Sequence, residues 1–119
     1  MKKIDIPAAF DRVSDHWSPH IAGQVNGQEI RIAKIEGAFD WHSHAGVEEA
    51  FFVVKGQFDM EFRDKTVAMG EGDFLVVPAD IEHRPVAKAE CWIMMVETSG
   101  TINTGDAVTD RTKKVLPVL

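Results

Sequence analysis

His42-Ser43-His44-Ala45-Gly46-Val47-Glu48-Glu49-Ala50-Phe51-Phe52-Val53-Val54-Lys55-Gly56 decides how this chain of 119 residues is read. Two imidazoles stand one residue apart, a carboxylate follows, and a β-rich apolar run ends at a glycine. Side chains alternate faces along a strand, so His42 and His44 point the same way, roughly 7 Å apart at about 3.3 Å rise per residue. From that distance two imidazoles can share one metal ion at ~2.0–2.2 Å per bond. Ala45–Glu48 is long enough to turn the chain, so Glu49 is expected to open a strand beside the one carrying the histidines. Glu48 and Glu49 compete for the carboxylate role, and alternation puts them on opposite faces. Only Glu49 keeps six residues before Gly56, and it is the expected ligand.

A second patterned stretch lies downstream, Gly72-Asp73-Phe74-Leu75-Val76-Val77-Pro78-Ala79-Asp80-Ile81-Glu82-His83. A glycine opens it, a strand-like run follows, a proline breaks it, and His83 begins the next extended piece. Together the two segments resemble the paired motifs of the cupin superfamily, G-x5-H-x-H-x3,4-E-x6-G and G-x5-P-x-G-x2-H-x3-N. The resemblance places His42, His44, Glu49 and His83 on the four metal-ligand positions. Gln57–Glu71 forms an inter-motif gap of 15 residues, similar to compact microbial members. The chain departs from the pattern at three places: Gly37 lies one residue too close to His42, Asp80 stands where glycine is expected, and Ala87 replaces asparagine. None is a ligand position; what they touch is turn geometry and pocket lining.

A lone histidine in a strand is ordinarily a surface or satisfied core residue. His16 and His20 match no motif and are read as structural. Cys91 has no evident activating partner and reads as a small apolar strand residue; a single cysteine excludes an internal disulfide and fits a reducing cytoplasm. The formal charge of −6 argues against a nucleic-acid surface. Neither a signal-peptide core nor a run approaching the ~18 apolar residues of a membrane span is present. At this length residues 1–119 are expected to be one domain with its own core.

Asp5 can cap a short N-terminal helix with Pro7 inside its first turn, and Ile6, Phe10 and Val13 form an apolar stripe for packing against the barrel or a partner subunit. Asn26-Gly27, between Ile21–Val25 and Gln28–Glu36, is a two-residue hairpin signal. Strands are further expected at Gln57–Arg63, Thr66–Met69, Phe74–Val77, His83–Ala87 and Cys91–Glu97. Many short strands with turns between them mean an antiparallel sandwich or barrel, with its core at about residues 20–98. The cupin resemblance implies the all-β, antiparallel jelly-roll form, whose mouth binds small ligands. The polar segment after Thr98 is expected to fold over the barrel.

Parity extends the reading to the interior. With Glu49 inward, Phe51 and Val53 follow it, and Met60 and Phe62 with Phe58 form the apolar face of the next strand. Such residues are more often generic core than substrate contacts, and Phe51, Val53, Met60 and Phe62 are the candidates for pocket lining. On the last long strand the inward set is either Trp92, Met94 and Val96 or Cys91, Ile93 and Met95. Outward Phe52 and Val54 need cover, which a homodimer interface would supply, as the resemblance also implies. Three imidazoles and one carboxylate suit one divalent transition metal, iron, manganese or nickel before zinc. No general base is evident beside them. The resulting expectation is a metal-dependent enzyme on a small organic molecule, of dioxygenase, isomerase or lyase type; the alternative is a non-catalytic small-molecule or metal-binding module.

Overall fold

The computed structural model describes residues 1–119. After helix α1 (Ile6–Ala9) and a 3-10 turn (Phe10–Arg12) come seven strands: β1 (His20–Val25), β2 (Gln28–Ala38), β3 (Glu49–Lys55), β4 (Gln57–Phe62), β5 (Thr66–Gly70), β6 (Phe74–Val77) and β7 (His83–Thr98). All pairings between them are antiparallel, and they curl into the jelly-roll barrel that the motifs imply. The order runs β1-β2-β7-β3-β6, with β4 joining β5 and the first part of β7. No helix is long and apolar enough to cross a membrane.

β7 is the spine. Where the sequence shows two pieces, the structure has one strand of 16 residues. Its first part pairs with β4 (Phe62 opposite His83) and its second with β2 and β3. The break read at Lys88–Glu90 is an exposed stretch within the continuous strand. Register irregularities fall between Ile35 and Gly37 in β2, opposite that stretch, and between Val53 and Lys55 in β3, opposite Ile93 and Trp92. At the β1–β2 hairpin Asn26 and Gly27 take φ values of 49° and 78°. Positive φ at both central residues is what a two-residue turn between right-twisted strands requires.

The interior core contains Phe51 and Val53 from β3, Phe58, Met60 and Phe62 from β4, Ala33 and Ile35 from β2, and Cys91, Ile93 and Met95 from β7. The parity of the last strand is thereby fixed: Cys91, Ile93 and Met95 face in. Burial raises the Cys91 thiol to about 11, in keeping with an inert apolar role. The opposite face carries a second core. Asp5 caps α1 by accepting from the Ala8 amide (3.1 Å), and Phe10 and Val13 pack with Ile32, Trp92, Met94 and Val54. Phe10 stacks on Trp92 at 4.7 Å. The cover that Val54 needs thus comes largely from the chain's own N-terminal segment. A strip at the β6 edge, Phe74 and Val76 opposite Phe52 and Ala50, has no such cover.

Phe10 is fully buried at the join between the N-terminal segment and the barrel. Phe10→Ala is therefore expected to lower unfolding free energy by about 3–5 kcal/mol, measured by urea denaturation. A loss below ~1 kcal/mol would mean that the second core contributes little.

Candidate metal centre

Glu49 opens β3, His83 opens β7, and His42 and His44 lie in the segment between β2 and β3. The histidine pair was expected on a strand beside that of Glu49; the structure differs on both counts. His42 makes only an isolated bridge with His83, through amide-to-carbonyl bonds of 3.1 and 2.9 Å. β3 lies between β7 and β6 instead. The backbone groups around the pair are engaged elsewhere, which prevents a ladder. The Ser43 amide donates to Asp106 (2.8 Å), the Ser43 carbonyl accepts from the Asp106 amide (3.0 Å), and the His44 carbonyl accepts from the Asp80 amide (3.0 Å).

Asp80, standing where the family pattern has glycine, adopts φ 66°. Aspartate is among the few residues that enter this region, because its short side chain bonds nearby backbone. Here its carboxylate accepts from the Gly46 amide at 2.9 Å. The departure keeps the turn and ties it to the histidine segment.

All four expected residues are brought together. His42, His44, Glu49 and His83 are buried, and each offers a donor atom within 4.8 Å of the others. Glu48 is exposed. His16 and His20 lie outside the cluster, His16 against exposed Glu90 and His20 on the Ser18 carbonyl. Two of the ligand rings have their tautomer set by the backbone: His42 Nδ1 lies 2.8 Å from the Asp40 carbonyl and His83 Nδ1 2.8 Å from that of Ile81. A carbonyl only accepts, so each Nδ1 carries hydrogen and each neutral ring turns its Nε2 lone pair inward. Burial, and next the His83 ring, push His42 down to about 4, so His42 is neutral near pH 7. Glu49 oxygens lie 3.3 Å from His44 Nε2 and 3.2 Å from His83 Nε2. His44 Nε2 is fully buried without a hydrogen-bond partner. Burial would raise the Glu49 carboxyl, but a hydrogen bond with Glu97 and the adjacent His44 and His83 rings hold it well below the usual carboxylate range. Imidazole nitrogens converging on a carboxylate in a buried pocket could hold a divalent cation.

Behind this cluster lies a polar network that the sequence did not disclose. Glu29, Glu97 and Glu49 stand opposite one another on adjacent strands β2, β7 and β3, and all three are buried. Arg31 binds Glu29 and Glu97 together. Its Nε and Nη2 donate to Glu29 (3.0 and 2.6 Å), Nη1 to Glu97 (2.6 Å) and Nη2 also to the Thr101 carbonyl (2.8 Å). Burial, and then the charge of Glu49 and the hydrogen bond with it, push Glu97 well above the usual range. The sequence showed no general base beside the cluster; the structure places the Glu97 carboxyl there, opposite Glu49. The available signal was parity, since Glu97 continues the inward series Cys91, Ile93, Met95; the register that aligns it with Glu49 was not readable.

A cavity of about 40 Å³ adjoins His42 and Glu49. Of the expected lining residues, Phe51 reaches it, whereas Val53, Met60 and Phe62 are consumed in the core behind. The β3 and β4 chains turn those side chains toward each other, so they fill the barrel instead of bounding its open end. The remaining wall includes Trp17, Phe39, Asn103 and Glu97.

A family-wide profile described as "Cupin domain" matches residues 28–97. The chain is 30% identical over 84 residues to the uncharacterised protein YdbB of Bacillus subtilis (strain 168), covering 70% of this chain and 74% of that one. It is also similar to the crystal structure of a cupin-2 domain protein from Shewanella frigidimarina, at 37% identity and TM-score 0.78, covering 80% of this chain and 93% of that one. Protein NMB1881 from Neisseria meningitidis superposes with TM-score 0.75 at 26% identity, over 82% of this chain and 100% of that one.

Arg31 is the single cation among three buried carboxyls. Arg31→Met is expected to destabilise the fold by about 3–5 kcal/mol, read from thermal or urea unfolding, because Glu29 is left as an unpaired buried charge. A variant as stable as the parent would show that the network is not what holds these strand ends.

Proposed function

The chain belongs to the cupin family, and on that premise we propose that His42, His44, Glu49 and His83 hold one divalent transition metal that serves an enzyme acting on a small organic molecule. The observation that carries this reading is the orphaned Nε2 of His44, buried 3.3 Å from a carboxylate oxygen with no hydrogen-bond partner. A buried polar atom left so costs on the order of 1–3 kcal/mol. A cation between the ring and the carboxylate removes that cost.

Held by His42, His44, Glu49 and His83, iron, manganese or nickel would supply a Lewis acid toward an enol, diol or carboxylate oxygen and redox chemistry with dioxygen. The chain's own residues do the rest. The Asp40 and Ile81 carbonyls orient two of the rings. Arg31 holds one Glu97 oxygen, leaving the other toward Glu49. Phe39, Phe51 and Trp17 bound the adjoining cavity with apolar surface. Glu97 is what favours an enzyme of dioxygenase, isomerase or lyase type over a binding module, since a module needs no second carboxyl at the cavity wall. The exposed Phe74–Val76 strip beside Phe52 supports a homodimer formed on the β6 edge.

Protein purified without tags or chelators is expected to carry close to one equivalent of iron, manganese or nickel per chain by elemental analysis. In His44→Ala the affinity should fall by more than the ~10–100-fold that loss of an outer partner costs. Metal that persists in this variant would remove the assignment. Oxygen uptake or product formation across catechols, diketones, thiols and sugar-derived substrates separates the two classes, and binding without turnover would favour the module. Phe74→Asp is expected to convert a dimer to a monomer in analytical ultracentrifugation; an unchanged mass would place any interface elsewhere.

A further inference from the structure

The family-matched residues 28–97 contain all four donor residues but do not close the site. Closure comes from the flanks: Trp17 and Pro19 before the matched region and Asn103 after it complete the cavity wall. Trp17 sits at φ 58°, a region in which a bulky side chain is a genuine outlier. Such strain persists only where the surroundings over-determine it. They do so here. The Trp17 amide donates to the Lys34 carbonyl (2.9 Å), and the indole Nε1 donates to the Glu36 carbonyl (3.0 Å). The indole stacks on Phe39 at 4.6 Å, and Phe39 meets the His42 ring edge-on at 5.3 Å. Over both aromatic rings lies the Arg111 guanidinium, at 5.5 and 5.7 Å, anchored to the Ala38 carbonyl at 2.9 Å.

The segment that brings Arg111 is itself pressed onto the ligands. At Gly105 an added Cβ would fall 2.1 Å from the Ser43 carbonyl oxygen, so only glycine passes over the residue between His42 and His44. Size and charge then define what fits. The space of about 40 Å³ is far below the ~150 Å³ of an engineered cavity that holds benzene. No cationic side chain lines it, and Arg31, the buried cation behind it, has its bonds taken by Glu29, Glu97 and Thr101.

We propose that Trp17 is the specificity-determining residue of this centre. As placed here it limits the ligand to a few non-hydrogen atoms, and a neutral planar organic molecule is admitted only by displacing the indole and stacking on Phe39 in its place. The Arg111 guanidinium is the clamp that opposes this displacement. The proposal rests on the metal reading only for what the cavity adjoins.

Phenol is the neutral planar probe and benzoate its charged counterpart, each titrated by NMR into the full-length, chelator-treated protein. Trp17→Ala should bind phenol at least ~10-fold more tightly than the parent, equivalent to about 1.4 kcal/mol, while benzoate gains less than ~2-fold. Arg111→Ala, which leaves the core intact, should show a smaller gain for phenol, and it decides the matter if Trp17→Ala does not fold. Equal phenol affinities in parent and variant, or an equal gain for benzoate, would overturn the proposal. Repeating the titration with cobalt(II) added separates the two readings. A change in the cobalt visible spectrum on adding phenol places the cavity beside the metal. Phenol binding in a chain that takes up no cobalt keeps Trp17 as the size determinant and removes the metal reading.

Discussion

Three imidazole nitrogens and a carboxylate lie within 4.8 Å of one another in the buried interior, an arrangement that a positive charge between them would stabilise. Two of the rings are oriented by backbone carbonyls, so their inward nitrogens are acceptors in the neutral form. His42 stays neutral to about pH 4, which leaves the site short of protons to supply that charge. The requirement shapes what surrounds it. Burial and the charge of Glu49 push the Glu97 carboxyl well above the usual range, and Arg31 is buried where it neutralises the outer end of the same row of carboxyls.

That row exists because β7 pairs with β2 on one side and β3 on the other in fixed register. Glu29, Glu97 and Glu49 fall opposite one another, and a slip of one residue would turn Glu97 out of the barrel. The same strand begins with His83, so one element sets both the third imidazole and the second carboxyl. Its length lets it bend past β4 and reach both halves of the barrel. The fold and the site are thus specified by one strand and its two neighbours.

The clustering of His42, His44, Glu49 and His83 was legible because its signal is local: two histidines one residue apart, a carboxylate at fixed distance from Gly56, and a glycine–proline–histidine stretch downstream. The inward faces of β3 and β4 were legible by alternation. What escaped depends on long-range pairing. Parity alone left two inward sets on the last strand, and only its register with β2 and β3 selects Cys91, Ile93 and Met95. The histidine segment looked like a strand because it alternates, yet its peptide groups are taken by Asp80 and Asp106 from distant parts of the chain. Trp17 and Asn103 carry no motif, and only three-dimensional closure brings them to the cavity.

Within the cupin fold, the chemistry a site performs is set by what surrounds the ligands more than by the barrel. In this chain the surroundings divide cleanly. The matched core supplies donors and Glu97, and the flanking segments supply the aromatic clamp that bounds the cavity. X-ray absorption at the edge of the metal retained by the purified protein tests the central claim most directly. The account predicts outer-shell scattering from three imidazoles, with nitrogen and oxygen neighbours at about 2.0–2.2 Å. A spectrum with no imidazole contribution would contradict it.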